Sequence, residues 1–171
     1  MPPDMTPRPQ PVSGDRFAEP ADAPLPKPVG VARARRAELL AAITGLERGL
    51  AVPARDLTWP TRVEAGIGTL AAAFDQHIAA TEGPDGMYAE ILRSAPRLSF
   101  AVNRLVLEHA DARSSISALA KLVTELPGSD LSAIERIRDE GTDLLARLVR
   151  HRQRGADLVF EAYAHDIGGC D

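Results

Sequence analysis

Three stretches of this chain repeat apolar residues at alternating steps of four and three, and each repeat carries a histidine at an inward position. The first runs Val63, Ile67, Leu70, Phe74 and His77. The second runs Leu98, Val102, Leu105, His109, Ala112, Ile116, Leu119 and Val123, and the third Ile137, Gly141, Leu144, Leu148, His151, Gly155, Leu158 and Ala162. A period of about 3.6 residues places each set on one face of an α-helix, and a face of that kind is buried against other helices. A fourth stretch, Leu39, Ile43, Leu46 and Leu50, has the same spacing without a histidine, and extending it backwards reaches Arg36.

Prolines and glycines mark where these helices stop. The first helix is expected from about Ala32 to Ala51, ahead of Pro53; the second opens at Thr58-Trp59-Pro60, with Thr58 as cap, and runs to Glu82 before Gly83-Pro84. A short helical piece over Met87–Ser94 leads to Pro96, which opens a third long helix ending near Leu126. Ser129 or Asp130 caps a fourth that continues to about His165. Short connections between long helices imply antiparallel neighbours. The expected fold is therefore all-α, an antiparallel up-down four-helix bundle over residues 31–171. Aromatic residues make up only 4% of the chain, which suits helices better than a sheet. Residues 1–30 hold nine prolines and are read as a disordered tail, either a solvated leader or a docking segment for a protein partner.

The formal net charge of −4 gives no general attraction to nucleic acid, and no apolar run is long enough for a membrane span. The one cysteine, Cys170, has no partner in the chain, and residues 1–30 lack the apolar centre of a signal peptide, so a cytoplasmic location is expected. Arg147, Arg150, Arg152 and Arg154 form a basic run on the last helix, with a solvated face or a binding patch as its two readings.

Whether the histidines meet depends on their heights. His109 lies 17 residues before Leu126 and His151 lies 20 after Leu131. In antiparallel neighbours that puts them within about 5 Å of one level at about 1.5 Å per residue. His77 and Arg36 are similarly level with each other, 17 residues after Pro60 and 15 before Ala51. His165, 14 residues beyond His151, is about 21 Å too far along to join them. Three converging neutral imidazoles are the usual ligands of zinc, iron or copper. Glu82, five residues after His77, is the carboxylate expected to complete the set, and Glu108 is expected to orient a histidine ring from the side. Asp157 and Glu161, six and ten residues past His151, project away from the seam; Glu161 and Arg36 are carried as residues around the site.

These residues resemble the hemerythrin-like (HHE cation-binding) family of four-helix bundles. The resemblance rests on Phe74-Asp75-Gln76-His77 with Glu82, on Leu107-Glu108-His109, and on Leu148-Val149-Arg150-His151 followed by Phe160-Glu161-Ala162-Tyr163. It covers about residues 32–165, and His77 and His151 stand 74 residues apart, as in a duplicated helical hairpin. It implies a metal site, non-haem iron above all, that meets dioxygen, nitric oxide or a similar small ligand. Arg35 or Arg36 replaces the first helix's histidine, and Gly155-Ala156 stand where the fourth helix would supply its carboxylate. Such a reduced set implies a mononuclear or degenerate di-iron centre, with zinc and manganese also fitting. The competing reading is a helical interaction or regulatory module whose metal site has decayed. No nucleophile–base grouping or phosphate-binding loop names an enzymatic reaction.

Overall fold

The computed structural model describes residues 26–128 and 130–164, and every regular element among them is helical. Four long helices, α1 (Lys27–Ala51), α2 (Trp59–Glu82), α4 (Ser99–Thr124) and α5 (Leu131–Ala164), are joined by short connections, with a short helix α3 (Met87–Ser94) and a 3₁₀ turn (Pro96–Leu98) between α2 and α4. Helix α1 packs on α2, α2 on α4, α4 on α5, and α5 back on α1. No helix among the described residues is long and apolar enough to cross a membrane.

Several boundaries differ from the expected ones for local reasons. Helix α1 begins at Lys27 rather than Ala32, so residues 27–30 of the supposed tail are helical. Pro28 falls in the first turn, where its missing N–H has no intrahelical partner to lose. Residues 1–25, Ser129 and His165 onward lie outside the described residues. Thr58 precedes α2 but does not cap it through its side chain. Its backbone N–H and hydroxyl both donate to Asp56 Oδ1, at 2.9 and 2.7 Å, in a tight turn that holds Thr58 already in helical conformation. Asp130 does cap α5, taking the Ser132 N–H at 2.9 Å. The third long helix starts as a 3₁₀ turn at Pro96 and ends at Thr124, two residues short of Leu126.

The inward seams are those of the period. Val63, Ile67, Leu70 and Phe74 of α2, Leu105, Ile116 and Leu119 of α4, and Ile137, Leu144 and Leu148 of α5 are all buried. They form two apolar clusters. One gathers Leu39, Leu46, Trp59, Phe74, Leu119 and Leu148 among others; the second gathers Ala32, Tyr88, Ile91, Leu105 and Leu158 among others. Arg36, His77, His109 and His151 occupy the seam between the two clusters on the four long helices. The far end of α1 is closed by α5: Arg138 donates to the Leu50 and Val52 carbonyls at 3.1 and 2.6 Å and lies 5.5 Å over the Trp59 ring. These bonds take up C-terminal carbonyls that the helix itself leaves unpaired.

Helices α1 and α2 approach closely at Gly66, where an added Cβ would stand 3.2 Å from Leu46 Cα. Backbone on the facing helix cannot swing aside, so Gly66→Leu is expected to destabilise the protein by about 2–3 kcal/mol. Gly68, with nothing within 4 Å of its would-be Cβ, is the contrast. Gly68→Ala is expected to stabilise by up to about 1 kcal/mol through helix propensity. Urea unfolding of both variants checks the pair, and equal effects would refute the close approach.

Candidate metal centre

Each histidine reaches the layer from a different helix. His77 comes from α2, His109 from α4 and His151 from α5, and their side chains are 2–4% exposed. One ring nitrogen from each lies within 4.8 Å of the other two. His109 Nε2 stands 3.0 Å from His151 Nε2, and His77 Nε2 stands 3.4 Å from the same atom. Phe74 packs against all three rings at centroid distances of 5.6–6.4 Å, and Tyr88 stacks on His109 at 6.0 Å.

The other ring nitrogens face outward, and two are held by carboxylates. Glu82 Oε1 lies 2.5 Å from His109 Nδ1, and Glu108 Oε2 lies 3.0 Å from His151 Nδ1. Glu82 therefore does not occupy the ligand position expected of it. It stands behind His109, on the far side of the ring from the Nε2 cluster, because its helix end brings it alongside α4 rather than over the centre. Glu108, expected to orient a ring from the side, stands on the His151 ring and is itself held by Arg154 at 2.8 Å and Arg104 at 3.3 Å. Glu161 is exposed on α5, ten residues beyond His151, about 15 Å along the axis, and takes no part. Arg36 rather than Arg35 turns toward the layer. Arg35 bonds Gln76 and Glu38 outside, whereas Arg36 is partly buried and donates to the Arg152 carbonyl at 3.3 Å.

The basic run of α5 divides in the same way. Arg147 and Arg150 are exposed, while Arg152 is partly buried and Arg154 is committed to Glu108. The spacing of Arg104 and Glu108 is a readable i,i+4 pair; the contributions of Tyr88, Arg152 and Arg154 have no comparable signal, since each depends on a neighbouring helix.

Proton placement follows from the carboxylates. Bonds from Arg154 and His151 hold the Glu108 carboxyl below its usual range even against burial, so it is ionised and accepts. His151 Nδ1 must then carry the hydrogen, which leaves its Nε2 a bare lone pair. Glu82, whose carboxyl burial raises, stands on His109 Nδ1 in the same way, and the two Nε2 atoms face each other at 3.0 Å, with the His151 lone pair open to a hydrogen or a cation. Burial, then mutual proximity, lowers the pKa of His77 and of His109 to about 3, and burial also lowers that of His151. Neutral rings at neutral pH are the form that binds metal. Tetrahedral zinc-type bonds of about 2.0–2.1 Å separate their nitrogens by about 3.3 Å, close to the 3.0 and 3.4 Å from His151 Nε2 to its two neighbours. The donor set therefore fits one transition-metal ion.

No model of a known protein family, no curated protein and no solved structure matches this chain.

The lowered histidine values fix a pH dependence for the metal-free protein. Between about 6.5, the ordinary histidine value, and about 3, the unfolded chain binds more protons than the folded one. Stability is then fully present above about pH 6.5 and is lost as pH falls, by at most about 1.4 kcal/mol per pH unit for each histidine. Glu82, whose carboxyl burial raises, offsets at most one of these protons. Urea unfolding at pH 7 and pH 5 should give a clearly lower stability at pH 5, with a shallower dependence in His77→Gln. Identical stability at the two pH values would contradict the buried neutral rings.

Proposed function

We propose that this chain is a divergent member of the hemerythrin-like bundles, with the antiparallel up-down order of that family, and that it binds one transition-metal ion through Nε2 of His77, His109 and His151. The observation that carries the reading is the meeting of three buried imidazoles, with His109 Nε2 and His151 Nε2 3.0 Å apart and each of those two rings held by a carboxylate at its opposite nitrogen. That is the carboxylate–histidine–metal arrangement, in which the outer carboxylate fixes the tautomer and raises ligand basicity. An imidazole-only set suits non-haem iron or zinc and leaves coordination positions open for a small molecule. When bound, the metal would supply a Lewis-acidic centre and, if iron, a site for dioxygen or nitric oxide. This protein's residues supply the dry surround: Phe74 and Tyr88 keep water from the rings, and Glu82 and Glu108 hold them in register. Binding or sensing a ligand, or handling the metal itself, fits this site better than a reaction needing a nucleophile, because no side chain at it has that setting.

A second reading is a helical interaction module in which the histidine layer no longer binds metal. What favours it is the solvent face of α4 and α5, where Phe100 is 81% and Phe160 75% exposed.

Elemental analysis after anaerobic iron(II) or zinc loading separates the two. One ion per chain is expected in wild type, with loss of that ion in His109→Ala and His151→Ala. Glu108→Gln is expected to keep the ion but weaken its affinity about 10–100-fold. Wild type that takes up no metal would overturn the metal reading in favour of the interaction module.

A further inference from the structure

A cleft opens between α2 and α4, on the far side of Phe74 from the histidine rings. Its volume is about 350 Å³, inside the range of roughly 300–1,000 Å³ that takes small molecules. Its depth is made of core residues: Ile67, Phe74, Ile116 and Val123 line it and are 1–6% exposed. The Phe74 ring also packs on the three imidazoles, so the cleft ends one side chain from the histidine layer. Small residues keep it open. Gly68 and Ala71 on α2 face it with Ala120 on α4, and no atom stands within 4 Å of where a Gly68 Cβ would be. Elsewhere in the bundle larger side chains fill such a space to the density of a protein interior.

The lining sets what can enter. Among the described residues, no buried polar atom without a hydrogen-bond partner belongs to the cleft, so the enclosed part of a ligand has no donor or acceptor to satisfy and is apolar. Charged groups stand at the two ends. At one end Asp75 and Arg113 hold each other, with Arg113 Nε and Nη2 both donating to Asp75 Oδ1 at 3.0 and 2.5 Å. At the other stands Glu64, eleven residues earlier on α2 and about 16 Å along its axis. Among the described residues Glu64 has no cation within ion-pairing distance. An apolar floor, one compensated end and one open carboxylate complement a cation carried on an apolar chain and repel the corresponding anion.

We propose that the cleft between α2 and α4 binds a hydrophobic monoamine, with its apolar body over Phe74, Ala71 and Ala120 and its ammonium at the Glu64 end. The inference is independent of the metal reading, because none of these side chains is one of the three histidines. Burial of the apolar body supplies most of the affinity. Glu64 supplies the preference for a positive head, and the Asp75–Arg113 pair closes the opposite end without adding a net charge.

Nuclear magnetic resonance of the full chain tests this with octylammonium, octanoate and octanol, each kept below its micelle concentration. Octylammonium is expected to shift the methyl signals of Ile67, Ile116 and Val123 and to bind more tightly than octanoate. Glu64→Gln should weaken octylammonium about threefold, the worth of one exposed ion pair, and leave octanol within twofold of wild type. Glu64→Lys should reverse the order of the amine and the carboxylate. Gly68→Leu fills the cleft from α2 and should abolish binding of all three; if that variant does not fold, Ala120→Leu fills it from α4 with the same expectation. Octylammonium that leaves those methyl signals in place overturns the inference. So does octanoate bound as tightly as octylammonium by wild type, or binding that persists in the folded, filled variants. None of these outcomes bears on the metal reading.

Discussion

The structure turns on a polar layer placed inside an apolar core. Three imidazoles meet there with their Nε2 atoms facing one another, at 3.0 and 3.4 Å for the two pairs that include His151. Nothing in a Leu-, Ala- and Val-rich interior compensates such a meeting, so the surroundings are arranged to hold it. Glu82 and Glu108 tie down the outer nitrogens, Arg104 and Arg154 anchor Glu108, and Phe74 and Tyr88 wall the rings from water. A polar network in a low-dielectric interior is strong when complete and unfavourable when one member is missing.

The layer also explains the division of the core. Above and below it the seams are ordinary packing residues, and the two apolar clusters lie on either side of Arg36 and the three histidines. Apolar burial on both sides supplies the stability that lets a polar layer be kept inside the bundle. The cluster that includes Tyr88 and Ile91 is built partly by the short helix α3, which therefore serves as one wall of the site as well as a connection. Gly86 makes its entry tight: a Cβ there would stand 2.7 Å from the Thr81 carbonyl oxygen.

Charge distinguishes this layer from one built of histidines alone. Arg36 stands on α1 at the level where the other long helices place imidazoles, and it brings a permanent positive charge beside them.

Much of this could be read from the chain before any coordinates. The period of the seams placed Val63 to His77, Leu98 to Val123 and Ile137 to Ala162 inward, and all three histidines do face the interior. The boundaries at Pro53, Pro84 and Pro127 were equally legible, because proline acts through its own ring and missing N–H. The error at the start of α1 came from the same residue: Pro28 is excluded from a helix interior but not from a first turn. What the sequence could not supply is everything that depends on one helix's rotation against another. Side-chain spacing places a histidine on a face but does not choose which ring nitrogen points in, and that choice was made by Glu82 from α2 reaching His109 on α4 and by Glu108 from α4 reaching His151 on α5. Likewise Arg35 and Arg36 differ by about 100° around one helix, and only the neighbours, Gln76 on one side and the Arg152 carbonyl on the other, decided which of them enters the layer. Local chemistry and periodicity determined the helices and their buried faces; the site's ligands, their tautomers and its charge were decided by contacts between residues far apart in the chain, which no local pattern encodes.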